Sequence, residues 1–207
     1  MPSILFVATG NAHKTAEIAA MLGARFDEVC DLRAFPDLPP AEETGATFAE
    51  NAALKALAIS RALPSMLVLA DDSGIEVDAL GGRPGVYSAR YAGLSATDAD
   101  NRRKLLAELE TEGARGKART ARFRCVLVLA RGGETLHTCD GAVEGILANE
   151  EKGDGGFGYD SLFIPEGYCE TFGQLPESTK NAFSHRARAM EKLIAWLDSD
   201  QTLLGLR

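Results

Sequence analysis

The sequence predicts an α/β protein, and three features carry the prediction. A continuous apolar run, Ile4-Leu5-Phe6-Val7-Ala8, is followed at once by Thr9-Gly10-Asn11 and then by a segment of helical spacing. A second such run, Met66 to Ala70, comes after an Ala/Leu-rich helical segment. Runs apolar at every position suit strands buried on both faces. The third feature is a pair of strand-like segments, Phe123 to Leu129 and Glu134 to Thr138, that hairpins across Gly132-Gly133. With 207 residues, 45% of them hydrophobic, the chain can bury a sizeable core. That length fits residues 1–207 as one domain, or two lobes sharing one sheet.

The elements follow in order. After the first strand, Ile18, Met21 and Leu22 fall on one side of a helix that stops near Gly23. Val29 to Leu32 reads as a second short strand. Phe35-Pro36 and Pro39-Pro40 then hold the chain in an extended loop, because each proline pushes its predecessor out of the helical region. Thr47-Phe48-Ala49-Glu50 is a capping box opening a helix that runs to Leu63, where Pro64 closes it. Met66 to Ala70 delivers Asp71-Asp72 to a strand end, before Ile75-Glu76-Val77 resumes with alternation. Thr97 opens a helix to about Thr111, a basic linker spans Gly113 to Arg119, and Ala142 to Leu147 extends the sheet beyond the hairpin. Gly153, Gly155, Gly156 and Gly158 mark a mobile or tightly turned loop. Ser184 to Leu197 is a final amphipathic helix, and the tail from Asp198 onward is peripheral.

Charge and composition exclude several classes of function. Twenty-two basic against 30 acidic residues give a formal charge of −8, which opposes non-specific attachment to nucleic acid polymers or an anionic membrane. Any phosphate site must be local. No apolar run approaches the roughly 18 residues of a membrane span, and Met1 to Val7 is too short for a secretion signal, so a cytoplasmic protein is expected. Cys30, Cys125, Cys139 and Cys169 form no C-x-x-C pair and read as buried or idle thiols.

Three segments carry chemistry. Thr9-Gly10-Asn11-Ala12-His13-Lys14 joins a strand to a helix, where free backbone amides and a lysine form a phosphate cradle. It is not a Walker loop, because His13 stands where the second glycine is required. The alternative is an ordinary strand-to-helix turn with His13 on the surface. Glu43 and Asp71-Asp72 form an acidic group suited to Mg²⁺, which takes one or two protein carboxylates plus water and phosphate oxygens. The alternative is solvated acids beside a turn. Phe157-Gly158-Tyr159-Asp160, with Lys180 and Ser184-His185-Arg186, offers an aromatic face for a base and polar groups for its edge. The alternative places Phe157 and Tyr159 in the core and Arg186 on the surface.

Together these segments resemble the inosine triphosphate pyrophosphatase family, which acts on non-standard purine nucleotides. The resemblance runs from Thr9 to about Arg186. Its motifs stand in family order: T-G-N-x-x-K at Thr9 to Lys14, E-E-T-G at Glu42 to Gly45, F-x-E-N-A-x-x-K-A at Phe48 to Ala56 and A-D-D-S-G at Ala70 to Gly74. G-x-x-S-A-R-Y follows at Gly85 to Tyr91, then G-G-F-G-Y-D at Gly155 to Asp160 and S-H-R at Ser184 to Arg186. One departure is Ser161, where the family usually has proline, which implies a more flexible loop without loss of a reacting group.

The resemblance implies an extended mixed β-sheet with flanking helices, and two lobes around a central nucleotide-binding cleft. It implies hydrolysis of ITP, dITP and XTP to the monophosphate and pyrophosphate, with Mg²⁺ as cofactor, in a homodimer. Glu43, Asp72 and Asp71 become candidate metal ligands, with Asp72 the base that prepares water and Lys14 neutralising the departing pyrophosphate. Lys55 is a further phosphate partner and Ser73 a substrate contact. Phe157 stacks on the purine, with Asp160, Lys180, His185 and Arg186 around its edge. The division of labour between Asp71 and Asp72 stays open at this point. A Maf-type pyrophosphatase for modified pyrimidine nucleotides is disfavoured because its S-x-S-x-x-R start is absent. A non-catalytic purine nucleotide sensor is disfavoured by the three intact acids.

Overall fold

A computed structural model describes residues 3–39 and 41–199. Pro40 of the expected extended loop, Met1 and Pro2 at the start, and residues 200–207 of the expected peripheral tail lie outside the described residues. Strand β1 (Ile4–Val7) leads to helix α1 (Ala12–Leu22), then to β2 (Glu28–Asp31), α2 (Phe48–Ala62) and β3 (Leu67–Val77). Helix α3 (Asp98–Thr111) precedes the hairpin of β4 (Thr120–Arg131) and β5 (Glu134–Leu147). Short β6 (Phe163–Pro165), α4 (Glu177–Phe183) and α5 (His185–Ser199) complete the order.

The sheet order is β2-β1-β3-β4-β5-β6. It is mixed: β1 pairs in parallel with both β2 and β3, so that Leu5 faces Val29 on one side and Leu67 on the other, whereas β5 and β6 are antiparallel. Parallel neighbours need crossover connections, and α1 and α2 supply them. That arrangement explains why β1 is apolar throughout, with Leu5, Phe6 and Val7 all buried. The expected hairpin turn also forms. Gly132 and Gly133 take φ of 60° and 84°, a left-handed pair that L side chains resist and that suits the twist of two adjoining strands.

The described chain divides into two compact units. The first takes the residues up to Asp72, Cys125–Gly141 and those from Arg186 on, and the second takes Ser73–Arg124 and Ala142–His185. Each has its own core. In the first, Leu5, Val7, Ile18, Leu22, Leu67, Leu69 and Leu127 pack with Met190 and Leu193 of α5. In the second, Ile75, Val77, Leu105, Leu109, Phe123, Phe163 and Phe172 pack together, with Phe123 and Phe163 edge to face at 4.8 Å. β3, β4 and β5 each contribute residues to both units.

Caps set the helix boundaries. Thr47 and Glu50 form the reciprocal box that opens α2, and Thr97 with Asp100 forms another at α3. β3 departs from expectation, because Asp71 and Asp72 do not end it: the strand continues to Val77. Carboxylates are tolerated mid-strand here because cations meet both. No helix among the described residues is long and apolar enough to cross a membrane.

Candidate functional site

In the first unit, the residues of interest gather around the middle of β3. Asp71 is fully buried and receives cations on both oxygens. Lys14 Nζ, from the first turn of α1, donates to Oδ1 at 2.5 Å, and Arg186 Nε, from α5, donates to Oδ2 at 2.8 Å. Cys125 Sγ on β4 adds a bond to Oδ2 at 3.1 Å. Burial alone would raise the Asp71 pKa, but the charges of Arg186 and Lys14 hold it well below the usual carboxylate range. The Cys125 thiol is pushed well above its ordinary value, first by burial and then by the Asp71 charge, so it stays protonated and donates. Arg186 also donates from Nη1 to Glu17 of α1. Its pKa is driven upward by Asp71 and Glu17 against the opposing effect of burial.

Asp72 sits differently. Its Oδ1 accepts from Lys55 Nζ at 2.8 Å, while Oδ2 is buried and has no hydrogen-bond partner among the described residues. Burial raises its pKa, with Lys55 opposing and Glu43 adding to the rise. Lys55 spends its remaining donors on Glu43 Oε1 at 3.0 Å and on the Asp71 carbonyl at 2.8 Å. Burial would lower the Lys55 pKa, but Asp72 and Glu43 raise it overall, keeping the ammonium charged. The sequence F-x-E-N-A-x-x-K-A thus brings Lys55 inward on α2, and the same helix positions the Glu43 loop. Asn51 Oδ1 accepts from Gly45 N at 2.7 Å. A Cβ on Gly45 would come within 2.6 Å of the Glu50 Cβ, so only glycine lets the loop lie this close to the helix.

The Thr9–Lys14 turn is partly self-satisfied. Asn11 caps α1, its carboxamide oxygen accepting from His13 N at 2.9 Å and Lys14 N at 3.3 Å, while Asn11 N donates to Thr9 Oγ1 at 3.1 Å. The amides expected to be free for an anion at His13 and Lys14 therefore already carry a side-chain cap. Gly10, Asn11, Ala12 and His13 are exposed, and a Cβ at Gly10 would meet nothing within 4 Å.

In the second unit, a separate group forms around the glycine-rich loop. Asp160 Oδ2 accepts from Phe157 N at 2.8 Å and from Lys180 Nζ, on α4, at 2.7 Å. Lys180 Nζ also lies 4.7 Å from the centre of the Phe157 ring, a cation over an aromatic face. Tyr159 belongs to the core and donates its hydroxyl to the Ser88 carbonyl at 2.8 Å. His185 is buried and stacks on Phe123 at 4.7 Å. Ser73 is half-buried on β3. Ser161 is buried, its hydroxyl donating to Glu151 at 3.3 Å.

Sequence reasoning overlooked Glu17 and Cys125. Glu17 had a legible signal, lying three residues after Lys14 and therefore on the same helix face. Cys125 had none, because its role depends on β4 lying beside β3. No group of three or more His, Cys, Asp or Glu side chains that could hold a metal ion occurs among the described residues.

Residues 5–196 match the Ham1 family. A protein of Geobacillus kaustophilus named dITP/XTP pyrophosphatase is 49% identical over 189 residues, 91% of each chain. One of the same name from Desulforamulus reducens is 46% identical over 194 residues, 94% of this chain and 95% of that one. The solved structure of a HAM1 protein from Coxiella burnetii superposes with a TM-score of 0.84 at 37% identity, covering 96% of this chain and all of the other. Agreement of sequence and fold along nearly the whole length establishes that this chain belongs to the Ham1 family.

Proposed function

We propose that this protein hydrolyses non-standard purine nucleoside triphosphates, dITP, ITP and XTP, to the nucleoside monophosphate and pyrophosphate. Its relatives carry names of that activity. The observation that carries the reading is Asp72: a buried carboxylate with one unbonded oxygen and a pKa pushed upward, the properties of a base able to take a proton from water. In the proposed step a water oxygen bonds to the α-phosphorus, the bond from that phosphorus to the bridging oxygen breaks, pyrophosphate departs, and Asp72 accepts the water's proton. Lys14 meets the negative charge that grows on the phosphates. Lys55 keeps Asp72 and Glu43 in place and limits how far the Asp72 pKa climbs.

Asp72 and Glu43 also fit Mg²⁺. Both offer hard oxygen donors, and the unbonded Asp72 oxygen is a position that a cation would satisfy. Bound there, the ion would supply charge stabilisation to the phosphate oxygens. Asp71 is better suited as the buried counter-ion of Lys14 and Arg186, since both of its oxygens are already engaged. Base recognition falls to Phe157 as the stacking face, with Asp160, Lys180 and His185 around the edge. A site arranged for a 6-oxo acceptor and an N1 donor leaves polar groups unpaired against adenine, so ATP is rejected. We also propose a homodimer, as the family resemblance implies.

The deciding experiment compares ITP, dITP, XTP, GTP and ATP at equal concentration, with and without Mg²⁺, and detects pyrophosphate. Intact pyrophosphate from the first three substrates is expected. Stepwise phosphate release, indifference to the base, or binding of ITP without turnover would each defeat the reading.

A further inference from the structure

The second unit contains a set of contacts that the proposed chemistry does not use. Helix α3 opens with Asp98, and Asp98 Oδ2 accepts from Gly158 N at 2.8 Å. One turn later Arg102 Nη1 donates to Gly158 O at 2.7 Å. The same residue thus has its amide and its carbonyl held by side chains of one helix. Arg102 is itself fixed from the other side, its Nε donating to Glu151 Oε2 at 2.8 Å, and Ser161 Oγ reaches that carboxylate oxygen too. Gly158 directly follows Phe157 and has φ of +61°, so the direction in which the loop presents the Phe157 ring depends on how this peptide is held.

We infer that Asp98 and Arg102 are positioning residues for base recognition, clamping the Gly158 peptide so that the Phe157 ring is held ready to stack on the purine. The inference rests on the reading of Phe157 as the base platform. Two constraints act on that ring independently. Asp160 and Lys180 hold it from its own loop and from α4, and the α3 clamp sets the peptide on its C-terminal side. An aromatic platform contributes more affinity when it is ordered before the ligand arrives, because otherwise part of the stacking energy is spent on ordering it. Ser161 enters the same group through Glu151, which gives the residue that replaces the family's usual proline a definite partner.

The test measures ITP hydrolysis by wild-type protein and by Asp98→Ala and Arg102→Ala, with inorganic triphosphate as a competitive inhibitor that has no base. Loss of a charge-assisted hydrogen bond from the clamp is expected to raise KM for ITP about 10-fold in each variant while kcat stays within about twofold. Inhibition by inorganic triphosphate is expected to stay unchanged, because that ligand needs only the phosphate-binding residues. Asp98→Asn keeps an oxygen facing Gly158 N and is expected to restore KM. Should an alanine variant melt too low to assay, Arg102→Lys replaces it and is expected to raise KM through loss of the planar fork. An unchanged KM for ITP in the alanine variants or in Arg102→Lys would overturn the inference, as would equal weakening towards ITP and inorganic triphosphate. A wild-type protein that neither binds nor consumes ITP would defeat the functional reading itself, and this inference with it.

Discussion

Lys55 Nζ lies 2.8 Å from Asp72 Oδ1, and the other oxygen of the same carboxylate is buried without a hydrogen bond. One side of Asp72 is thereby anchored and the other left open to chemistry. Its neighbour Asp71 has both oxygens bound by cations. Adjacent side chains on a strand point to opposite faces, so two consecutive aspartates meet different surroundings, and the alternation separates their roles.

Replacing each aspartate with asparagine should separate them experimentally. Asp72→Asn is expected to lower kcat by about 10²- to 10⁴-fold, the usual contribution of a positioned base, with no loss in melting temperature. Asp71→Asn should instead destabilise the fold by about 3–5 kcal/mol in a denaturant titration, because it leaves Arg186 and Lys14 without a full counter-charge. Equal loss of turnover at unchanged stability in both variants would refute the division.

The pH profile should report Lys55. Burial lifts the Asp72 pKa and Lys55 opposes the rise, so Lys55→Met should lift it further. Since the base must be ionised to act, the acid limb of kcat/KM should move to higher pH in the variant. A limb that stays put or moves to lower pH would count against Asp72 as the titrating group.

Divalent cation should be required. Chelation with EDTA is expected to stop pyrophosphate release and added Mg²⁺ to restore it, while Glu43→Gln should raise the Mg²⁺ concentration needed for half-maximal rate about 10-fold or more. Full activity in EDTA would remove the cation from the scheme.

Acid stability should follow Asp71. Its folded pKa is depressed, so the stability it contributes is complete above the unfolded carboxylate value of about 3.9 and is lost as pH falls through the lower folded value. The melting-temperature gap between wild type and Asp71→Asn should therefore hold steady from pH 7 to about 4 and close only below that. A gap that closes between pH 7 and 5 would place the linkage on another group.

Much of this arrangement was legible in the sequence, and the parts that were not share a cause. The capping box at Thr47, the helix start at Thr97, the stop at Gly23 and the Gly132-Gly133 turn are encoded locally, and each formed where its residues predict. The turn composition of Asp72-Ser73-Gly74 predicts a strand that stops at Ala70, shorter than β3. What carries the strand through is the long-range supply of cations from α1, α2 and α5. Arg186 illustrates the same limit. Its motif suggested a base-edge contact or a surface position, whereas the structure buries it on Asp71 and Glu17. The sequence places Asn11 in an anion cradle, and its cap on two of the amides depends on a side-chain orientation that spacing does not encode.

The partnership of Asp71 with Arg186 spans 115 residues of chain. Synthesis proceeds from the N-terminus, so the strand bearing Asp71 is made after its counter-ion Lys14 but long before its second, Arg186. Early hydrophobic collapse around β1 and β3 can pair Oδ1 with Lys14 but must leave Oδ2 hydrated, and the interior of the first unit can close only after α5 has been translated. A nascent chain stalled before Arg186 would keep a charged seam open to water, which makes the arrival of α5 the step that completes this core.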